Sequence, residues 1–120
     1  MQIDEETRKK AVIRALLDDH ARLILTATME SPKSVLDIIR EHKIPITSAY
    51  RKVGELKESG LLKVERIVLT PDGKKFELVK STIRGVNVQF DRGELNVDVV
   101  AGVEADEKFV RRFFALREVR

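Results

Sequence analysis

The chain has 120 residues, 42% of them apolar and 36% charged, with 23 Lys and Arg against 20 Asp and Glu and no cysteine. That length suits one domain with one core, and the balance of apolar and charged residues excludes a disordered tail. The lack of cysteine removes disulfides, thiolate metal sites and cysteine nucleophiles. No apolar run approaches the roughly 20 residues that span a bilayer, and MQIDEETRKK lacks the apolar stretch of a signal peptide. A cytoplasmic address and no membrane partner are expected.

The first segment, EETRKKAVIRALLDDHARLILTATMES, sets Ala11, Val12, Ala15 and Leu16, then Leu23, Ile24 and Ala27, at helical spacing. It predicts two helices broken at Asp18-Asp19-His20, the second ended by Ser31-Pro32. In SPKSVLDIIREH, Ser34 is placed to cap a third helix, with Asp37 three residues on, and Val35, Leu36, Ile38 and Ile39 are expected to supply its buried face.

KIPIT then reads as a short turn. Pro45 pushes Ile44 out of the helical region, and Thr47 is expected to cap the helix that opens there. Along that helix, residues 47–59, Ala49, Val53 and Leu56 form one apolar face while Ser48, Arg51, Lys52 and Glu55 are expected to project outward. Gly54 reads as room for close packing, and Ser59-Gly60 as the C-terminal stop.

After Leu61-Leu62 the period becomes strand-like in KVERIVLT, then PDG, then KKFELVKSTI, a hairpin over residues 63–82 whose turn is Pro71-Asp72-Gly73. A second hairpin follows in VNVQFDRGELNVDVV. Val86, Val88 and Phe90, with Leu95, Val97 and Val99 across the DRGE turn, give it one apolar face that is expected to lie on another layer. The last segment, EADEKFVRRFFALREVR, has helical spacing, acidic residues first and arginines later as a helix dipole prefers. Its stripe of Phe109, Phe113 and Leu116, widened by Val110 and Phe114, is the candidate dimer surface, with packing on the second hairpin as the alternative.

Charge is uneven along this order. Residues 33–84 hold twelve Lys and Arg against seven Asp and Glu, whereas residues 1–32 hold five against six and residues 85–120 six against seven. Clustered positive charge is what a polyanion-binding surface needs, because neutralising phosphates releases condensed counterions. Helices joined by a tight turn and followed at once by a charged hairpin are the order of a winged helix-turn-helix, since a major groove about 12 Å wide admits one helix. The expected fold is therefore α+β: three to four N-terminal helices and a wing hairpin over residues 1–82, then an added β-hairpin and terminal helix over residues 83–120 that extend the same unit.

In that arrangement the start of the helix at 47–59 faces DNA. Thr47, Ser48, Tyr50, Arg51 and Lys52 supply the small, polar and basic side chains the site requires. Arg51 is the candidate for a base edge, its planar fork matching guanine. Lys52, Tyr50, Lys33 and Ser34 are candidates for phosphate, and Lys74 and Lys75 for the backbone beside the wing turn. Tyr50 has a structural alternative, packing over Gly54, and Lys74 and Lys75 have another, protecting an edge strand.

The run LLDDHARLILTATMESPKSVLDIIREHKIPITSAYRKVGELKESGLLKVE resembles ArsR-type winged-helix transcriptional regulators, especially archaeal members, and RIVLTPDGKKFELVKSTI is similar to the family's wing. The resemblance covers about residues 16 to 100. It implies a homodimer that binds an operator and alters transcription, with Thr47, Ser48, Tyr50 and Arg51 at the start of the reading helix. Metal-sensing members use cysteine-rich or histidine and carboxylate sites. Here there is no cysteine, and His20 and His42 stand far apart, so no metal site and no cofactor are expected.

Two other classes remain in view. A winged helix can serve protein contact within a transcription or other macromolecular assembly, its basic face meeting an acidic partner. An enzyme is not expected: the carboxylates are scattered, and no glycine-rich phosphate loop, metal-binding His spacing or nucleophile with a placed base is present in the sequence.

Overall fold

The computed structural model describes residues 5–102, an α+β chain in which four helices come first and two antiparallel hairpins follow. Asp18 divides the N-terminal apolar run into α1 (Glu5–Leu17) and α2 (Asp19–Ala27). Its backbone is extended and its carboxylate accepts the Ala21 N–H at 2.9 Å, the geometry of an N-cap.

Helix α2 ends at Ala27, earlier than Ser31-Pro32 would require. Buried Thr28 donates its hydroxyl to the Ile24 carbonyl at 2.9 Å, and its own carbonyl accepts the Ser81 N–H at 3.0 Å. A backbone hydrogen bond to β2 thus holds the chain at the end of the helix before the proline is reached. The inward face of α2 is Ala21, Ile24 and Leu25, and the expected Leu23 is exposed instead.

Ser34 caps α3 (Val35–His42) as expected, its hydroxyl accepting the Asp37 N–H at 3.1 Å. Ile38 is the fully buried residue of that helix, Val35 and Ile39 flank it, and Leu36, expected inside, is exposed. Replacing Ile38 by alanine would cost about 2–5 kcal/mol as a core cavity. Lys43 closes α3 in the left-handed region (φ 53°), buried Ile44 anchors the turn, and α4 (Ile46–Glu58) begins immediately after Pro45.

Pro45 is therefore the residue at the N-cap, and α4 has no side-chain cap there. The expected cap by Thr47 does not form, because Pro45 already leads the chain into the helix and Thr47 falls inside the first turn. The other end follows the sequence closely. Gly60 takes φ 85°, its N–H donates to the Lys57 carbonyl at 3.1 Å, and the Leu61 N–H donates to the Leu56 carbonyl at 2.9 Å, a Schellman closure with both leucines buried.

Strands β1 (Leu62–Leu69) and β2 (Lys75–Ser81) form the first hairpin, with an irregularity in register between Val64 and Arg66. Lys33 joins it as a one-residue bridge, its N–H donating to the Val79 carbonyl at 3.0 Å and its carbonyl accepting the Val79 N–H at 2.8 Å. The start of α3 is thereby fixed to β2. Strands β3 (Ile83–Asp91) and β4 (Glu94–Ala101) form the second hairpin, turned at Arg92 and Gly93, both with positive φ.

The two hairpins meet at Thr82. Its hydroxyl donates to the Gly60 carbonyl at 2.7 Å, its N–H to the Leu61 carbonyl at 3.0 Å, and its carbonyl accepts the Gly102 N–H at 2.9 Å. Val97 and Val99 of β4 enter the core together with the helices, and the nearly buried Lys9 of α1 donates to the Leu95 carbonyl at 3.4 Å. The apolar face of this hairpin is covered on one side alone: Val97 is fully buried, whereas Val88, directly opposite it, is 46% exposed and Phe90 is 74% exposed. The expected terminal helix and its stripe, Phe109, Val110, Phe113, Phe114 and Leu116, lie outside the described residues. No helix among the described residues is long and apolar enough to cross a membrane.

Candidate nucleic-acid interface

Helix α4 is held by its apolar side and leaves the other side open. Ala49, Val53 and Leu56 are buried, while Thr47, Tyr50, Arg51, Gly54 and Glu55 are exposed and Ser48 is half-buried. The Arg51 side chain is 60% exposed and lies 3.5 Å from the Glu55 carboxylate one turn on. An exposed pair of this spacing is weak, worth about 0.3–0.5 kcal/mol, so the guanidinium is readily released to a better acceptor.

Gly54 does not provide close packing. A methyl group built on it would meet no atom within 4 Å, because the position faces open space beyond Tyr50 and Arg51.

Lys52 departs from the expected outward set. Its ammonium bonds the Asp18 carboxylate, and its side chain is only 13% exposed. Asp18 thus caps α2 and anchors α4 at once. Burial alone would raise its carboxyl pKa, but the bond from Lys52, the Ala21 N–H and the Lys52 charge outweigh burial and hold it below its ordinary value. A cleft beside this pair is lined by Arg14, Arg51 and Glu55, with small alanines at positions 11, 15 and 21.

Two more of the expected phosphate ligands have internal work. Lys33 pairs with Glu41 at 2.5 Å while its backbone bridges to β2, and Ser34 is buried with its hydroxyl engaged at the α3 cap. Lys74 and Lys75 are exposed beside the β1–β2 turn. Local hydrogen bonds close that turn: the Thr70 N–H donates to the Lys74 carbonyl at 2.8 Å, the Lys74 N–H to the Thr70 hydroxyl at 3.0 Å, and Gly73 takes φ 86°. Lys57 of α4 pairs with Glu77 of β2 at 2.8 Å, tying the helix to the hairpin.

Tyr50 of α4, Lys75 and Phe76 of β2, and the first turn of α3 line one groove of about 590 Å³. Leu36, Ile67 and Phe76 give it an apolar floor, and Arg40 joins the rim. Arg40 and Arg14 are cations beside this face that the sequence left unremarked. Arg40 stands 4.0 Å from Asp37 at a spacing that reads as an ordinary surface pair, and Arg14 comes to line the same cleft as Arg51 only in the folded chain. Among the described residues, no group of three or more His, Asp or Glu side chains is gathered that could hold a metal ion. No protein-family profile matches the chain, and no curated protein matches it.

Proposed function

We propose that this chain is a winged helix-turn-helix regulator that binds duplex DNA in a sequence-dependent way as a homodimer. In this reading α4 enters the major groove and the β1–β2 hairpin follows the backbone as the wing. One observation carries it: Tyr50, exposed near the start of α4, and Lys75, at the basic end of the hairpin, line a single groove. A helix in the major groove and a ribbon beside it must be presented together in this manner.

Arg51 then reads a base edge, and Thr47, Ser48 and Tyr50 meet the groove wall and phosphates. Lys74 and Lys75 hold the backbone. Lys52, Lys33 and Ser34 brace the site from within, since their polar groups are engaged by Asp18, Glu41 and the α3 cap. The resemblance to ArsR-type regulators supports the same assignment, and Phe109, Val110, Phe113, Phe114 and Leu116 supply the second-copy surface. A concentration series in sedimentation tests that last point, a monomer throughout the micromolar range removing the dimer.

A second reading is favoured by one specific feature. The floor of the same groove exposes Leu36, Ile67 and Phe76, more apolar surface than phosphate contact needs. That floor suits a protein partner within a larger assembly. Titration of a fluorescent duplex at increasing salt separates the two: the regulator loses affinity linearly with the logarithm of salt concentration, while a protein-docking module shows no duplex binding to lose.

A further inference from the structure

The second hairpin has an uncovered apolar half. Val88 and Phe90 on β3 share a face with Val97 and Leu95 on β4, yet the core covers the β4 side and part of Val86 and leaves Val88 and Phe90 bare. Exposed apolar patches of this kind mark surfaces that something else covers. We propose that residues 103–120 of the same chain seat along this half of the hairpin.

The point of departure is fixed. The Gly102 N–H donates to the Thr82 carbonyl at 2.9 Å, so the chain leaves β4 next to the first residue of β3. From Ile83, a strand rising about 3.3 Å per residue carries Val86, Val88 and Phe90 to about 10, 17 and 23 Å. From residue 103, helical spacing at about 1.5 Å per residue carries Phe109, Phe113 and Leu116 to about 9, 15 and 20 Å. The two apolar series run in step from one origin, which pairs Phe109 with Val86, Phe113 with Val88 and Leu116 with Phe90.

Charge follows the same order. The segment begins with Glu104, Asp106 and Glu107, next to exposed Arg84 at the base of the hairpin, and continues with Arg111, Arg112 and Arg117 toward exposed Glu94 at its tip. Val110 and Phe114 lie about 100° around the helical wheel from the docked stripe. They stay outward, so on this inference the second-copy surface proposed above is confined to Val110 and Phe114 of the terminal stripe.

Because the chain has no cysteine, paired cysteines report the seat directly. Under mild oxidation at low micromolar concentration, the full-length double variant Val88→Cys with Phe113→Cys is expected to close an intrachain disulfide at least about tenfold faster than Gln89→Cys with Phe113→Cys, since neighbouring strand residues point to opposite faces. Equal rates, no closure, or disulfide-linked dimers in place of the intrachain bond overturn the proposal. The second check is insensitive to cysteine effects: Phe113→Asp in the full chain is expected to increase binding of an apolar fluorescent dye by uncovering Val88 and, as the segment is released, Phe90. Unchanged or reduced dye binding overturns it, because removing a phenylalanine that covers nothing only subtracts apolar surface.

Discussion

Lys52 on α4 and Asp18 at the start of α2 form an ion pair that joins α4, the helix with an open outward side, to the N-terminal helices. Asp18 has two roles, and two substitutions separate them. Asp18→Ser keeps a capping oxygen and loses the partner of Lys52, whereas Asp18→Ala loses both. Loss of the cap alone costs about 1 kcal/mol, so in urea unfolding Asp18→Ala is expected to be the less stable of the two by about that amount. Equal stabilities would show that the Ala21 bond contributes nothing.

The same carboxylate sets a pH dependence. Its folded pKa lies below its ordinary value, so its contribution is present above the unfolded pKa, near 4, and is lost as pH falls through the depressed folded value. The stability advantage of the native chain over Asp18→Ser is therefore expected to be full at neutral pH and to shrink below about pH 4. An advantage that grows on acidification would contradict the Lys52 pairing.

Gly54 gives a prediction with opposite signs in two assays. Nothing lies within 4 Å of a methyl group placed there and its φ is not positive, so Gly54→Ala is expected to add about 0.5–1 kcal/mol of stability. Thermal unfolding checks this as a rise of a few degrees. On the proposed DNA face the added methyl stands between α4 and the duplex, so weaker binding is expected from the more stable protein.

Thr82→Val tests the junction of the hairpins. The change keeps the shape of a buried side chain but removes the hydroxyl that reaches the Gly60 carbonyl, leaving an acceptor without its side-chain donor. A loss of about 1–3 kcal/mol is expected, measured by denaturant midpoint, with little change in the slope of the transition.

Arg51 and Lys75 separate reading from holding. Arg51→Ala is expected to relax base preference at one position of each half-site by about 1–3 kcal/mol. Lys75→Ala is expected to weaken all duplexes alike and to reduce the salt slope by about 1. Competition titrations with operator and scrambled duplexes check both, and equal losses in the two variants would undo the division of roles.

The sequence made local features legible and left distant pairings hidden. Ser34, Gly60 and the Pro71-Asp72-Gly73 turn announce themselves because caps and turns depend on residues within a few positions of each other. The inward choice between adjacent apolar residues was less accessible. Leu23 and Leu36 fit a helical period as well as Leu25 and Ile38 do, and only the packed neighbours decide which side is covered. Lys52 with Asp18, Lys33 with Val79 and Thr28 with Ser81 unite residues far apart in the chain, so no spacing rule finds them. Two expected phosphate ligands, Lys33 and Lys52, also have acidic side-chain partners within the chain, Glu41 and Asp18.

Sequencing the fragments retained from a random duplex pool at about 0.15 M salt, a physiological ionic strength, addresses the exposed start of α4 most directly. Enrichment of an inverted repeat, with half-sites about one helical turn apart and a guanine preference that disappears in Arg51→Ala, is the expected result. Retention without any enriched motif, or no retention at all, would contradict sequence reading by this helix.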